Sequence, residues 1–318
     1  MAEGGNQMVL GTRGSALALV QAEMAEAALA AAHPDLEIIR EVITTTGDRR
    51  TDIPLAEVAA ASGHIDKGVF IKELEVALER GEVDAAVHSL KDVPSELDAG
   101  FALGAVLPRA AIGDVLVTKA PGGLEGLPDG AVVATSSVRR ARQLRWLRPD
   151  LAVAEIRGNV PTRLRKLAEH AEIDGLILAE AGLARLNLLA AGRVECAAGE
   201  LWGTVLDPDR FLPAASQGAV ALEIRDGDER LRGIAGAIHD AATGAVVEAE
   251  RAFLRILGAG CDTPVGVLSA VSGGQLRIRA RVFEDGEESP LEAVADGPLE
   301  KRLDLAAELR DKLARIQR

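Results

Sequence analysis

The stretch GAVVATSSVRRARQLRWL, residues 130–147, places a short apolar run, three adjacent hydroxyl residues and a basic segment next to one another. The run GAVVA is typical of a buried strand. The segment VRRARQLRWL, with its apolar residues at helical spacing, predicts a helix. A strand that leads directly into a helix is the repeating unit of α/β proteins, so this stretch favours an α/β fold.

The same alternation extends in both directions along the first two-thirds of the chain. Helices are predicted for residues 16–33 and 68–81, the second ending at Gly81. The strands and the further helix that the pattern predicts are LEIIREVIT (36–44), DAAVHSL (84–90), LAVAEIR (151–157), VPTRLRKLAEH (160–170, a helix) and DGLILAE (174–180). No internal sequence repeat is present, although the two halves of this region could share a fold.

The order of elements changes after LPAASQGAVALEIR, residues 212–225. Two predicted helices are followed by short strands and a C-terminal helix over residues 298–317, which is typical of a small α+β domain. We therefore predict three domains, listed here by their residues: an α/β domain of 1–109 with 212–230, a second α/β domain of 110–211, and an α+β domain of 231–318. Residues 49–68 lack a clear period and are predicted to form a lid.

Composition excludes several classes of protein. The 318 residues carry a net charge of −13 and only 2% aromatic residues, which argues against a nucleic-acid partner because such proteins are usually basic and stack bases on aromatic rings. No long apolar run predicts a membrane span, and because residues 1–15 lack a basic region followed by an apolar run, we expect no signal peptide. Two cysteines make a poor disulfide framework, so we expect a reducing cytoplasm. Nothing such as a heptad repeat requires a dimer, and we expect a monomer.

Basic and hydroxyl residues cluster where predicted strands end or helices begin. The segments concerned are TRGS (Arg13, Ser15), HSLKDVP (Lys91, Asp92), TSSVRR (Ser136, Ser137, Arg139, Arg140), IRGNVPTR (Arg157, Arg163) and AGLAR (Arg185). Ligands of open α/β sheets bind beyond the carboxyl ends of the strands, and arginine matches carboxylates with two hydrogen bonds. One such arginine alone is more often a surface residue, but five similar segments favour a pocket for a small polyanion.

Asp92 and Cys261 each have more than one reading from the residues alone. Asp92 either caps the turn before Pro94 or stabilises a cation on the ligand and handles its proton. Cys261, in LGAGCDTPVG, is either an incidental thiol, a nucleophile or the attachment point of a covalent group. Neither Cys196 nor any histidine has ligand spacing to Cys261, so no metal site is predicted.

Eight short motifs along the chain together resemble those of one protein family. TRGSALAL, FIKELEVAL, AVHSLKDVP, ATSSVRRARQL, IRGNVPTRL, LAEAGLARL, LPAASQGAVALE and LGAGCDTPVG occur in order from about residue 9 to 267 and resemble the porphobilinogen deaminases, also called hydroxymethylbilane synthases. The resemblance implies two α/β domains like those of type II periplasmic binding proteins, plus a small α+β domain that carries a cysteine. It also implies a transferase of tetrapyrrole biosynthesis, which joins four porphobilinogen molecules head to tail with release of ammonia.

The resemblance assigns roles to particular residues. It implies a dipyrromethane cofactor joined by a thioether to Cys261, and a buried catalytic carboxylate at Asp92 that stabilises the cation left when ammonia departs. The residues that the resemblance implies for binding the acetate and propionate groups, or for lining the site, are Arg13, Ser15, Lys91, Thr135, Ser136, Ser137, Arg139, Arg140, Arg157, Arg163, Arg185 and Gln217. Gly14, Pro161 and Ser216 depart from residues found in some relatives, and Cys196 has no role.

Three other functions fit the sequence less well. A non-enzymatic anion-binding protein would need neither a covalent group nor the combination of Asp92 and Cys261. A nucleotide-dependent transferase would be expected to carry a phosphate-binding glycine motif, and none of the usual ones is present. A nucleic-acid binder is disfavoured by the charge and by the scarcity of aromatic residues.

Overall fold

The computed structural model describes residues 6–46, 71–260 and 263–316. These residues belong to two compact units, one formed by Met1–Ala110 with Ala219–Ala245 and the other by Ala111–Gly218 with Val246–Arg318. The predicted lid over residues 49–68 lies outside the described residues, and so does Cys261.

The first unit contains a five-stranded sheet. Its strands are β1 (Gln7–Arg13), β2 (Glu37–Ile43), β3 (Ala85–Ser89), β4 (Phe101–Val106) and, from much later in the chain, β12 (Val220–Arg225). The order is β2-β1-β3-β12-β4, with β1 parallel to β2 and β3, and with β12 antiparallel to both of its neighbours. The helices described in this unit are α1 (Ala16–Ala32), α2 (Lys72–Glu79) and α6 (Glu229–Gly236).

Apolar side chains of the sheet and of two helices form the core of the first unit. Leu10 and Val220 lie on the sheet, Leu29 comes from α1, and Leu231 and Ala235 come from α6. The core residues of each helix are four positions apart, Ala25 and Leu29 in α1 and Leu231 and Ala235 in α6. This helical spacing explains why the periodicity of the sequence predicted α1.

The second unit contains a larger mixed sheet. Its strands are β5 (Asp114–Thr118), β6 (Val132–Ala134), β7 (Ala152–Ala154), β8 (Gly175–Ala179), β9 (Leu189–Ala190), β10 (Arg193–Val194) and β11 (Leu201–Leu206), in the order β7-β6-β8-β5-β11-β10-β9. The helices that follow β6, β7 and β8 are α3 (Val138–Leu147), α4 (Val160–Glu169) and α5 (Glu180–Arg185).

The two sheets share one arrangement. In each, the first three parallel strands stand in the order second, first, third, and an antiparallel strand follows on the side of the third: β12 in the first unit and β5 in the second. An aspartate occupies the same place in both. Asp84 accepts a hydrogen bond from the Val9 amide at 2.9 Å, and Asp174 accepts one from the Val132 amide at 2.8 Å. The two halves therefore share a fold without a visible sequence repeat.

The C-terminal part is built from antiparallel strands and two helices. The strands β13 (Val265–Ser272), β14 (Gln275–Val282) and β15 (Leu291–Pro298) form one sheet, and α7 (Ala241–Leu257) and α8 (Arg302–Ile316) accompany it. Its core is apolar and aliphatic apart from Phe253. The prediction of an α/β protein with a small α+β part is confirmed.

Candidate functional site

Four of the predicted site residues lie at one edge of the first sheet. Arg13 is the last residue of β1, and Ser15 follows it as the N-cap of α1, where its Oγ accepts a hydrogen bond from the Ala18 amide at 3.3 Å. Lys91 and Asp92 lie in the 3₁₀ turn that follows β3. Because β1 and β3 are parallel neighbours, their carboxyl ends lie at the same edge of the sheet, as the sequence analysis expected.

Asp92 is exposed in the structure. The resemblance implied a buried carboxylate, and the difference arises because the 3₁₀ turn carries Asp92 past the end of β3 and beyond the packed strands. Among the described residues, its carboxylate accepts no hydrogen bond and forms no ion pair. An aspartate that capped the turn before Pro94 would bond to a nearby backbone amide, so the capping reading of Asp92 is not supported.

The predicted binding residues of the second unit also lie where parallel strands end. The set includes Thr135, Ser136, Ser137, Arg139 and Arg140 after β6, Arg157 and Arg163 after β7, and Arg185 after β8. Gln217 comes from the segment before β12 and contacts the first residues of β5. The structure thus brings these residues to one edge of the second sheet.

The hydroxyl residues after β6 bond to the chain itself. The Ser136 hydroxyl donates to the carbonyl of Ile156, and Thr135 Oγ1 accepts from the Ser137 amide at 3.2 Å. Ser137 is the N-cap of α3, with its Oγ facing the Arg140 amide at 3.5 Å. These contacts shape the turn from β6 into α3, so part of the TSSVRR motif serves to start the helix.

A buried carboxylate lies beneath the two arginines of this motif. Asp114, fully buried at the start of β5, contacts Arg139 Nη1 at 2.8 Å through Oδ2. Its Oδ1 accepts from Arg140 Nε at 3.0 Å, from Arg140 Nη2 at 2.6 Å and from Gln217 Nε2 at 3.1 Å. Burial raises the pKa of Asp114, but the charges and hydrogen bonds of Arg139 and Arg140 outweigh it and hold that pKa well below its usual range.

The same arginine pair is tied to the chain beyond Asp114. Arg139 Nη1 also donates to the Leu212 carbonyl at 2.5 Å, and Arg140 Nη1 donates to the Ile177 carbonyl at 2.9 Å. Burial lowers the pKa of the Arg139 guanidinium, and the negative charge of Asp114 opposes that change. Asp114 and the two backbone carbonyls therefore hold both guanidinium groups in fixed orientations inside the protein.

A further buried arginine, Arg281, joins this region to the C-terminal sheet. Arg281 on β14 donates to Gln143 Oε1 at 2.9 Å, and Gln143 exchanges two hydrogen bonds with the backbone of Leu212. The Arg281 guanidinium also lies 4.4 Å from the centre of the Trp146 ring, on the same helix as Gln143. These contacts hold α3, and with it Arg139 and Arg140, against β14.

Among the described residues, Arg185 has one hydrogen-bond partner. Its Nη2 donates to the Gly218 carbonyl at 2.6 Å, while its Nε is buried and has no hydrogen-bond partner among the described residues. Within those residues no carboxylate pairs with it, and burial lowers the pKa of its guanidinium. A half-buried guanidinium without an anion costs stability, so this residue is suited to receive an anionic ligand.

Ser216 adopts a backbone conformation that favours glycine. Its φ is +60°, its amide donates to Glu250 Oε2 at 2.6 Å, and its buried Oγ has no partner in the described part of the chain. Ser216 directly precedes Gln217, so the strained turn also fixes the position of the Gln217 backbone.

We expect Ser216→Gly to stabilise the protein by about 1 kcal/mol. Glycine removes the left-handed strain and the unpaired hydroxyl, and these gains exceed the added entropy of the unfolded chain. The midpoint of thermal unfolding measures the effect. Ser216→Ala is the control, because it removes the hydroxyl but keeps the strain and should gain less. A lower midpoint for Ser216→Gly would contradict this explanation.

Asp114 is the site residue that the sequence analysis missed. The sequence signal was the position of Asp114 at the start of the apolar run DVLVT, since a charged residue in a buried strand is almost always paired. That signal says nothing about which residues pair with it. Among the described residues, no group of three or more side chains is placed to hold a metal ion, and no helix is both long and apolar enough to span a membrane.

Comparison with known proteins gives matches along most of the chain. The family model described as "Porphobilinogen deaminase, dipyromethane cofactor binding domain" matches residues 8–233, and "Porphobilinogen deaminase, C-terminal domain" matches residues 245–315. A porphobilinogen deaminase of Syntrophobacter fumaroxidans is 44% identical over 310 residues, covering 96% of this chain and 95% of its own. Another, of Rubrobacter xylanophilus, is 48% identical over 269 residues, covering 85% and 81%.

Solved structures give a weaker likeness. The methionine binding protein MetQ is 14% identical, with a TM-score of 0.46, covering 78% of this chain and 97% of its own. A likeness at this TM-score is too slight to support an inference about this chain.

Proposed function

The chain belongs to the porphobilinogen deaminase family and joins four porphobilinogen molecules head to tail into hydroxymethylbilane with release of ammonia, and on that premise we propose which of its residues carry the reaction. The observation that carries the proposal is the set of cationic and hydroxyl groups at the carboxyl ends of parallel strands in both units. Porphobilinogen carries an acetate and a propionate, so every unit of the product adds two carboxylates that such groups can bind.

The residues present suit a carboxylate-rich cofactor. Arg185 has a buried Nε without a partner, and the two guanidinium groups of Arg139 and Arg140 share the single carboxylate of Asp114. A dipyrromethane, being built from the same pyrrole units as the substrate, supplies the anionic groups that this surplus of positive charge favours. When bound, it supplies the free pyrrole carbon to which the first substrate is joined.

We propose that the basic and hydroxyl residues bind the acetate and propionate groups. The proposed set comprises Arg13, Ser15, Lys91, Thr135, Ser136, Ser137, Arg139, Arg140, Arg157, Arg163, Arg185 and Gln217. Arginine suits this role because its planar fork can donate two parallel hydrogen bonds to one carboxylate. We also propose that Cys261 is the attachment point of the cofactor, with its thiolate forming the thioether bond.

Asp92 is the proposed catalytic residue. Loss of ammonia from the aminomethyl group of porphobilinogen leaves a cation on the substrate, and a nearby carboxylate stabilises that charge as it develops. Its carboxylate accepts no hydrogen bond from the described residues, so both oxygens are available to the substrate. Lys91, its neighbour in the 3₁₀ turn, is proposed to bind a substrate carboxylate and so to place the substrate beside Asp92.

The binding role is tested at Arg185. We expect Arg185→Lys to raise the KM for porphobilinogen about tenfold or more, equivalent to about 1.4 kcal/mol, because lysine cannot make two parallel hydrogen bonds to a carboxylate. Steady-state kinetics of the cofactor-loaded enzyme provide the measurement. Arg193→Lys is a matched control, since Arg193 pairs on the surface with Glu200 and Trp202, and its KM should not change. An unchanged KM for Arg185→Lys would remove Arg185 from the site.

Other features of the chain stay predictions. We propose that it acts as a monomer in the cytoplasm, without a nucleic-acid partner, and that it divides into the three domains 1–109 with 212–230, 110–211 and 231–318. The net charge of −13 and the scarcity of aromatic residues support the exclusion of nucleic acid. Light scattering of the purified protein measures its mass in solution and so tests the monomer directly.

A further inference from the structure

Three of the proposed binding residues converge on a residue that has no assigned role. Arg139, Arg140 and Gln217 all donate to the carboxylate of Asp114, at distances of 2.6–3.1 Å. Asp114 is fully buried, so it cannot reach a ligand itself. Any influence on ligand binding must therefore pass through the side chains that it holds.

The two arginines use Asp114 differently. Arg140 donates from all three of its nitrogens, two to Asp114 and one to the Ile177 carbonyl. Arg139 makes its contacts through Nη1 alone, and among the described residues its Nε and Nη2 make no hydrogen bond. Arg139 is 5% exposed as a residue, and Nε and Nη2 are the nitrogens that Asp114 and Leu212 leave unused. An Nε–Nη2 edge is one of the arrangements with which arginine binds a carboxylate.

We propose that Asp114 is a positioning residue, which holds Arg139 so that its Nε–Nη2 edge faces outward to bind a carboxylate of the substrate or cofactor. The proposal rests on the proposed function, in which Arg139 binds such a group. Arg140 and Gln217 contribute by fixing the Asp114 carboxylate itself, because both donate to Oδ1 while Oδ2 is left to Arg139.

The electrostatics explain why an acid is needed at this position. Two neighbouring guanidinium groups repel each other. Because Arg139 is only 5% exposed and Arg140 only 6%, solvent screens this repulsion weakly. The arginines hold the pKa of Asp114 well below its usual range, which favours the charged carboxylate. A neutral residue of the same shape would leave the two cations without their shared anion, and Arg139 would lose its fixed orientation.

A purely structural role for Asp114 predicts something different. In that case, substitution of Asp114 would destabilise the protein, and any effect on substrate binding would simply multiply with the effect of changing Arg139. A positioning role predicts that the two effects overlap, because Asp114 acts only through Arg139. The two explanations therefore differ in the double variant.

The experiment compares Asp114→Asn, Arg139→Lys and the double variant, each loaded with cofactor, by the KM for porphobilinogen and by kcat. We expect each single change to raise KM about tenfold, and the double variant to stay close to tenfold rather than reach about a hundredfold. A hundredfold increase in the double variant would overturn the positioning role, as would an unchanged KM in Asp114→Asn. An unchanged KM in Arg139→Lys alone would instead contradict the proposed binding role of Arg139.

A control and a second variant guard against loss of folding. Asp174→Ala removes a half-buried structural carboxylate in the same unit, which accepts from the Val132 amide, and should lower the unfolding midpoint without changing KM. If Asp114→Asn does not fold, Asp114→Glu replaces it, since this change keeps the negative charge but moves the carboxylate away from its partners by one methylene. Its smaller increase in KM should vanish in the Arg139→Lys background, and an increase that persists there would overturn the proposal.

Discussion

Asp92→Asn is expected to slow the condensation of porphobilinogen by at least about a hundredfold, while the protein stays folded. An amide keeps the size of the side chain but loses the negative charge that stabilises the substrate cation, and losses of about 3 kcal/mol are usual when one such group is removed. Asp92 is exposed and bonds to none of the described residues, so its substitution should change the free energy of unfolding by less than about 0.5 kcal/mol.

The rate of porphobilinogen consumption and the thermal unfolding midpoint together test this prediction. Glu96→Gln serves as the matched control, because Glu96 is an exposed acid in the same connection and should tolerate the change with normal turnover. Normal turnover in Asp92→Asn would remove Asp92 from the mechanism. A large loss of stability in Asp92→Asn would show that the residue acts through the fold instead.

Cys261→Ala is expected to abolish turnover completely. Alanine offers no sulfur to form the thioether. The protein would then hold no cofactor, and the first substrate molecule would have nothing to be joined to. Cys196→Ala is the natural comparison, since Cys196 is a half-buried thiol beside apolar residues of α4 and its neighbours, with no role in the proposed reaction. Its activity should match that of the unaltered protein.

The release of ammonia from porphobilinogen measures both cysteine variants. Activity lost in Cys261→Ala and retained in Cys196→Ala is the expected pair of results. Turnover in Cys261→Ala at the normal rate would show that the reaction needs no bond to this residue.

The α/β fold could be predicted because its signals are local. The stretch over residues 130–147 carries its own strand, its own N-cap at Ser137 and its own helix, and the structure shows all three. Since parallel strands end at a common edge, placing Arg13 and Lys91 at strand ends was enough to predict that they share an edge. The likeness of the two sheets was less visible, because strand order depends on backbone pairing and not on matching side chains.

The contacts of the arginine pair could not be predicted because they join distant parts of the chain. Asp114 lies 25 and 26 residues from its arginine partners and 103 residues from Gln217. Arg281 and Gln143 are 138 residues apart. Periodicity records which residues face a core but not which polar groups meet inside it, so the sequence indicated a cationic site without its buried anion.

The exposure of Asp92 was also beyond the reach of the sequence. The apolar run before it predicted a buried strand, and the strand β3 is indeed buried over Ala85 to His88. Whether the chain stays inside after such a strand depends on the turn that follows. Here a 3₁₀ turn brings Asp92 to the surface.

The intact mass of the purified protein tests the central claim most directly, measured beside Cys261→Ala and Cys196→Ala. We predict an increment equal to two linked pyrrole units in the unaltered protein and in Cys196→Ala, and none in Cys261→Ala. If the protein is isolated without the increment, incubation with porphobilinogen should produce it. An unaltered protein that shows no added mass even after that incubation would contradict both the covalent cofactor at Cys261 and the mechanism built on it.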